Sequence, residues 1–223
     1  MSATHQSPTL PVLCSWSGGK DSCYALMKAI QQGCQPRALL NMMNENGQIS
    51  RSHGIISYIL QQQARAMQLP MLNIAASWSA YEQQFITALQ QLKTQHYIQA
   101  CVFGDIDLQP HRDWEEKVCA AAGIHALLPL WQQSRRQLVL EMLEAGIETM
   151  IVSCNATLGP SFLGRVMDMQ LVQELEALGV DVCGENGEFH TLVVHCPLFN
   201  NPISLPPFEK VQHEQYWFLH WKA

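Results

Sequence analysis

Six consecutive residues, Ser17-Gly18-Gly19-Lys20-Asp21-Ser22, have the types and order that hold a phosphate. Two adjacent glycines let backbone N–H groups converge on an anion without interference from Cβ, and a helix starting at Asp21 or Ser22 adds the positive end of its dipole. Ser17 and Ser22 supply hydroxyl donors, and Lys20 supplies a mobile cation. A plain strand-to-helix turn with Asp21 or Ser22 as N-cap is the competing reading, and it leaves Lys20 without a task. The loop fits neither G-x-x-x-x-G-K-[ST] nor G-x-G-x-x-G, the two established phosphate fingerprints.

Further along, Glu185 and Glu188 put two carboxylates on a Gly-hinged turn, where they could orient ammonia, deprotonate ammonium or bind a cation. Taken alone, such a turn reads as solvated. His53 precedes a helix and suits an adenine or ribose contact as well as a surface cap. Gly104 and Asp105 end an apolar strand, where open α/β sheets bind ligands, so Asp105 is a candidate contact to nucleotide or substrate. Arg112 could grip a substrate carboxylate or open a helix in solvent. Trp114 and Trp131 read as core or interface residues rather than base platforms. His190 and His195 lack a third ligand at metal spacing. The eight cysteines are scattered without a C-x-x-C pair and read as reduced structural residues. Should the chemistry need a sulfur-relay cysteine, Cys154, at the end of a strand, is the candidate.

Short apolar runs alternating with longer amphipathic ones must position these groups. The first half reads as strand Val12 to Trp16, helix Asp21 to Gln32, strand Arg37 to Met43, helix Ile55 to Met67, strand Met71 to Ala75, helix Tyr81 to Leu92 and strand Ala100 to Phe103. This order predicts a doubly wound, mostly parallel, Rossmann-like α/β sheet. Beyond it come a helix over Arg112 to Ala122, a short apolar run at Ala126 to Leu130, a helix over Ser134 to Ala145, a strand at Thr149 to Cys154, a helix over Asp168 to Leu178 and a strand at Phe189 to Val194. The Pro-rich stretch Asn200 to Pro207 follows, with no element placed after it. A boundary near Pro129 divides the chain into a phosphate-binding domain, 1–128, and a smaller C-terminal α/β domain on the substrate side, 129–223.

With 223 residues, 48% hydrophobic and 14% charged, the chain can bury a large core without disulfides or metals. The formal charge of -6 argues against a nucleic-acid coat protein. No apolar run approaches the ~20 residues of a membrane span, and Met1 to Pro11 lacks a signal-peptide pattern, so a soluble cytoplasmic protein is expected. A homodimer is left open.

Ser-Gly-Gly-Lys-Asp-Ser after a first strand resembles the PP-loop of the ATP pyrophosphatases, which implies ATP cleavage between the α- and β-phosphates with Asp21 holding Mg²⁺. Within that class the chain resembles the diphthine-ammonia ligase family from about Leu13 to Phe199. The likeness rests on Ser52-His53-Gly54, Phe103-Gly104-Asp105-Ile106, His111-Arg112-Asp113-Trp114, Pro129-Leu130-Trp131, Cys183-Gly184-Glu185-Asn186-Gly187-Glu188-Phe189-His190-Thr191 and Cys196-Pro197-Leu198-Phe199. It implies an ATP-dependent ligase that adenylates a carboxylate and amidates it with ammonia or an amine. ATP would contact Ser17 to Ser22, His53, Gly104 and Asp105, and Lys20, Asp21, Glu185 and Glu188 would serve catalysis. Arg112, Gly184, Asn186, Gly187, His190 and Thr191 would face the substrate. The resemblance also reverses the solvated reading of Glu185 and Glu188. Asn186, where the family often has Gly, and Phe189-His190, where eukaryotic members favour Tyr-Glu, leave the carboxylate substrate open. Sulfur insertion into tRNA or a small molecule, with Cys154 as relay, and a non-catalytic ATP-binding regulatory module are the competing functions.

Overall fold

The structure is a computed structural model that describes residues 9–222; residues 1–8, read above for a signal peptide and as the start of the first domain, lie outside the described residues. The first half runs β1 (Leu10–Ser15), α1 (Lys20–Gln31), β2 (Cys34–Met43), α2 (Ser57–Ala66), β3 (Met71–Ala75), α3 (Tyr81–His96), β4 (Ala100–Val102), α4 (Gln109–Ala122) and β5 (His125–Leu127). All five strands pair in parallel in the order β3-β2-β1-β4-β5. Val12, Leu13 and Cys14 of β1 are wholly buried, as a strand covered on both faces requires. Alternation along β1 sends Val12 and Cys14 into a core with Leu26 of α1 and Leu60 of α2, and Leu13 into a second core with Phe85 of α3 and Val118 of α4. The sheet is therefore doubly wound, as the alternation of elements predicts.

The second half contains α5 (Arg135–Glu144), β6 (Glu148–Asn155), α6 (Met169–Ala177), β7 (Phe189–His195), β8 (Phe208–His213) and β9 (Tyr216–Trp221). Its strands form an antiparallel sheet in the order β7-β6-β9-β8. The core that holds Val12 and Cys14 continues into Ile151 of β6 and Leu192 and Val193 of β7, so the two sheets share one body of apolar side chains.

Three expectations need correction. The first helix begins at Lys20 with Gly19 as N-cap and no side-chain cap, so neither Asp21 nor Ser22 is the cap. Helix α4 begins at Gln109, a turn earlier than Arg112, because Pro110 suits the first turn, where its missing N–H costs nothing. The hairpin of β8 and β9 was not foreseen: β8 is exposed along its length and carries Glu209 and Lys210, the charged dress of an edge strand, which hides the alternation that marks strands. Among the described residues no helix is long and apolar enough to cross a membrane.

Gly104, in the loop after β4, controls how closely that loop meets α1. A Cβ there would stand 2.7 Å from both the Asp21 carbonyl carbon and the Ser22 nitrogen, and backbone cannot turn aside. Gly104→Ala is expected to cost about 1–3 kcal/mol of stability and to lower the melting temperature by several degrees, read by calorimetry; an unchanged melt would show that the loop has room to retreat.

Candidate functional site

The strand order turns at β1: α1 and α2 carry the chain to one side and α3 to the other, so the loops leaving β1 and β4 diverge. The crevice at such a switch point is where open α/β sheets take ligands. A cleft of about 720 Å³ stands there, within the roughly 300–1,000 Å³ of small-molecule sites. Ser17, Lys20, Asp21, Ser22, His53, Gly104, Asp105, Gly184, Glu185, Gly187, His190 and Thr191 line it, so residues far apart in sequence meet as expected. Gly18, Gly19, Arg112, Asn186 and Glu188 are not among the lining residues.

The floor of the cleft is the first turn of α1. Gly18 sits at φ +88°, a conformation other residues adopt at a cost. Its carbonyl accepts from the Val193 N–H at 2.9 Å and from Gln63 Nε2 at 3.0 Å. Gln63, fully buried on α2, also donates to the Val193 carbonyl at 2.8 Å and accepts from the Trp16 indole at 2.8 Å. Ser17 Oγ accepts from the Gly19 N–H at 3.2 Å and stands 3.0 Å from Ser22 Oγ. The Lys20 N–H donates to Thr191 Oγ1 at 3.1 Å. The N–H groups of Asp21 and Ser22 have no partner among the described residues, and Gly104 packs close against the peptide between them, where a side chain would collide.

Lys20 is not the mobile cation that its sequence suggests. Its side chain is buried, and its amine donates to both Asp21 oxygens, at 3.0 and 2.8 Å, and to the Cys183 carbonyl. Burial would lower its pKa, but Asp21, with Cys183 and Glu185 beyond it, outweighs burial and holds the amine charged. Asp21 has both oxygens on Lys20, and among the described residues no three His, Cys, Asp or Glu side chains are grouped at metal-binding spacing. The donor set therefore fits a cation only in company with ligand oxygens.

The Gly-hinged turn holds one carboxylate toward the cleft and the other away from it. Glu188 accepts from the Asn186 N–H at 3.1 Å, from Asn186 Nδ2 at 3.1 Å and from the Asp181 N–H at 3.4 Å, so it braces the turn and does not face the site. Asp181 accepts from the Cys183 and Glu185 N–H groups at 3.0 and 3.1 Å. Arg135 then ties the turn to the loop after β4: it reaches Asp181 at 2.6 Å and Asn186 at 3.1 Å, and grips both oxygens of Asp107 at 2.7 Å. Arg112, expected to meet substrate, instead pairs with Glu116 at 2.7 Å one helical turn on and lies over Trp131. Glu185 does face the cleft, where burial and the charge of Asp21 raise its pKa to about 8.

Thr191 also receives His53: its carbonyl accepts from Nδ1 at 2.8 Å. The His53 and His190 rings lie 4.7 Å apart. Burial lowers the pKa of His53 to about 4 and, with His53 and Lys20 nearby, that of His190 to about 3, so both are neutral near pH 7. All eight cysteines are free; burial pushes Cys154 up to about 11, and its thiol donates to the Gly159 carbonyl at 3.2 Å. Trp114 packs in the Leu13 core and also walls the cleft with Tyr81 and Phe85. Sequence reasoning missed Gln63, Arg135 and Glu115. Gln63 and Arg135 sit in polar stretches that read as solvent faces, and only the tertiary fold turns them inward.

Glu185 gives the site a pH signature. An unfolded glutamate titrates near 4.5 and the folded one near 8, so between these values the folded chain holds the extra proton and stability falls as pH rises. Glu185→Gln removes that fall, and from pH 5 to pH 8 the variant should gain on the order of 1–3 kcal/mol over the parent in urea unfolding. Parallel stability curves would mean that Glu185 ionises in the usual range.

Comparison with known proteins adds the family. The model of the diphthamide synthase N-terminal domain matches residues 11–126, and that of the diphthamide synthase C-terminal domain matches residues 134–223. The diphthine–ammonia ligase of Mus musculus is 31% identical over 223 residues, covering 88% of this chain and 83% of the mouse protein. That of Homo sapiens gives the same figures, 31%, 88% and 83%. The Schizosaccharomyces pombe ligase is 29% identical over 88% of this chain but only 36% of its own length. With both domain models matched and these ligases aligned across most of its length, the chain belongs to the diphthamide synthase family, the family of the diphthine–ammonia ligases.

Proposed function

We propose that this chain is an ATP-dependent ligase that adenylates a substrate carboxylate at the α-phosphate and amidates it with ammonia or an amine, releasing AMP and pyrophosphate. The observation that carries this reading is the direct bonding of the two motifs. The Lys20 N–H donates to Thr191 and the Lys20 amine to the Cys183 carbonyl, so the Ser17–Ser22 loop and the Glu185 turn face one cleft. The names of the relatives support ammonia as the nitrogen donor and diphthine as the carboxylate class to try first.

In this reading the loop acts as a PP-loop. The β- and γ-phosphates lie over the first turn of α1, where the Asp21 and Ser22 N–H groups and the Ser17 and Ser22 hydroxyls can donate, each contact at a helix N-terminus contributing about 0.3–1 kcal/mol when exposed. A carboxylate oxygen attacks the α-phosphorus as the α–β bridging oxygen departs with pyrophosphate. Lys20, locked by Asp21 and Cys183, offsets the growing charge as a fixed cation that needs no reorganisation. Mg²⁺, if bound beside the phosphates, would be held by Asp21 and would supply further charge compensation on the leaving group. A side cavity of about 110 Å³ shares Ser17, Ser52 and His53 with the main cleft. There Asn41 Oδ1 is a buried acceptor without a partner among the described residues, which suits a nucleoside donor. Neutral Glu185 lowers the negative charge that an incoming carboxylate would meet.

Sulfur insertion loses its candidate relay, since the Cys154 thiol is buried, raised and bonded to a carbonyl. The test is product identity. With α- and γ-labelled ATP, Mg²⁺, ammonium and a diphthine-bearing protein, AMP and pyrophosphate are expected, and ADP with phosphate as sole products would refute adenylation.

A further inference from the structure

His111 and Asp105 stand on the wall of the same cleft, and the adenylation step gives this histidine no task. Asp105 lies in the loop after β4 and His111 in the first turn of α4. His111 Nδ1 is 2.7 Å from Asp105 Oδ1. An ionised carboxylate only accepts, so Nδ1 carries the proton and the neutral ring keeps its lone pair on Nε2. The His111 side chain lines the cleft and is 59% exposed, and its Nε2 has no hydrogen-bond partner among the described residues. A carboxylate behind an imidazole imposes this orientation and tautomer wherever histidine takes protons from nucleophiles.

The carboxylate itself is held in its charged state by a third group. Glu115, one helical turn beyond His111, is 3% exposed, lines the cleft, and its Oε2 is buried with no partner among the described residues. Burial and then Asp105 push Glu115 up to about 11, so it stays protonated beside an ionised Asp105. Burial works against the Asp105 charge, but the bond from His111 and the neighbouring Glu115 keep its carboxyl below the usual range. Glu185 faces His111 from the turn before β7, and Tyr81 of α3 faces Asp105 and Glu115. The bond to Asp105 raises His111 above its ordinary value, with burial opposing and Glu185 adding.

We propose that His111, oriented by Asp105, is the general base that takes the proton from the attacking nitrogen. This rests on the reading of the chain as an amide-forming ligase. The nitrogen lone pair forms the C–N bond at the carbonyl of the acyl-adenylate, and one N–H proton passes to Nε2. The C–O bond to AMP breaks with its electron pair on the phosphate oxygen, and the imidazolium, balanced by Asp105, returns its proton to solvent at the cleft mouth. The products are the amide, AMP and one proton. Asp105 is a positioning residue in this step, and Glu115 is the neutral neighbour that leaves Asp105 the charge.

Two measurements test it. In the protein alone, ¹⁵N spectra of His111 above its pKa should show Nδ1 protonated and Nε2 bare, and Asp105→Asn should lower that pKa; the opposite tautomer would overturn the proposal whatever the acceptor. With ATP and a diphthine-bearing protein, His111→Gln should cut ammonia-dependent amide formation by roughly 10²-fold or more, with acceptor-dependent ATP–pyrophosphate exchange retained. Hydroxylamine, a less basic nitrogen, should narrow the loss to within about tenfold. Full ammonia-dependent turnover in His111→Gln would overturn the base assignment alone. No exchange in the parent protein would overturn the ligase reading, and the proposal with it.

Discussion

The hydrogen bond from the Lys20 N–H to Thr191 Oγ1 spans 171 residues of sequence and fastens the two halves at the cleft. Thr191 is 1% exposed and paired with Ile151 in the antiparallel sheet, so its position is set by β6 as well as by its own strand. Through it the loop after β1 is held against a sheet that was never part of the parallel fold. The same residue receives His53, and the neighbouring Val193 N–H holds the Gly18 carbonyl. One strand therefore sets the height of the loop, the tilt of the histidine and the entry of the Glu185 turn. A buried N–H left without such a partner costs about 1–3 kcal/mol, so any shift of the strand that leaves the Lys20 N–H unpaired is penalised by that much.

Charge in the cleft follows from that arrangement. The locked Lys20 is a cation against which Asp21 sits, while Glu185 and Glu115 are driven toward their neutral forms by burial and by the carboxylates beside them. A cleft rich in carboxyl groups thus presents fewer negative charges near pH 7 than its sequence suggests. That matters for a proposed pair of anionic substrates, ATP and a carboxylate, which a fully ionised set would repel. The aromatic wall of Tyr81, Phe85 and Trp114 contributes the low polarity that sustains these shifts.

Much of this was legible in the sequence, and the unread parts have physical causes. The apolar run Val12 to Cys14, bracketed by amphipathic stretches, marks a doubly wound sheet because each half-turn of the pattern has a local origin. The Gly-Gly pair and Glu185 announce themselves by type and spacing. Lys20 did not: nothing in the six-residue loop says that a carbonyl from Cys183 will take its amine. Glu188 and Arg112 look like ligands because they are charged, yet their nearest partners, Asn186 and Glu116, are within four residues and claim them first. Gln63 and Arg135 carry the opposite lesson, since only tertiary folding brings their partners within reach.

The central claim is that the loop and the Glu185 turn work as one site because Thr191 joins them. Its most direct test is the rate of AMP formation in Thr191→Ser, which keeps the accepting hydroxyl, against Thr191→Val, which keeps only the shape. The account predicts near-parental AMP formation in the serine variant and a loss on the order of tenfold in the valine variant, since one hydrogen bond is worth about 1 kcal/mol and more when its buried donor is stranded. A folded valine variant that forms AMP as fast as the parent would contradict it.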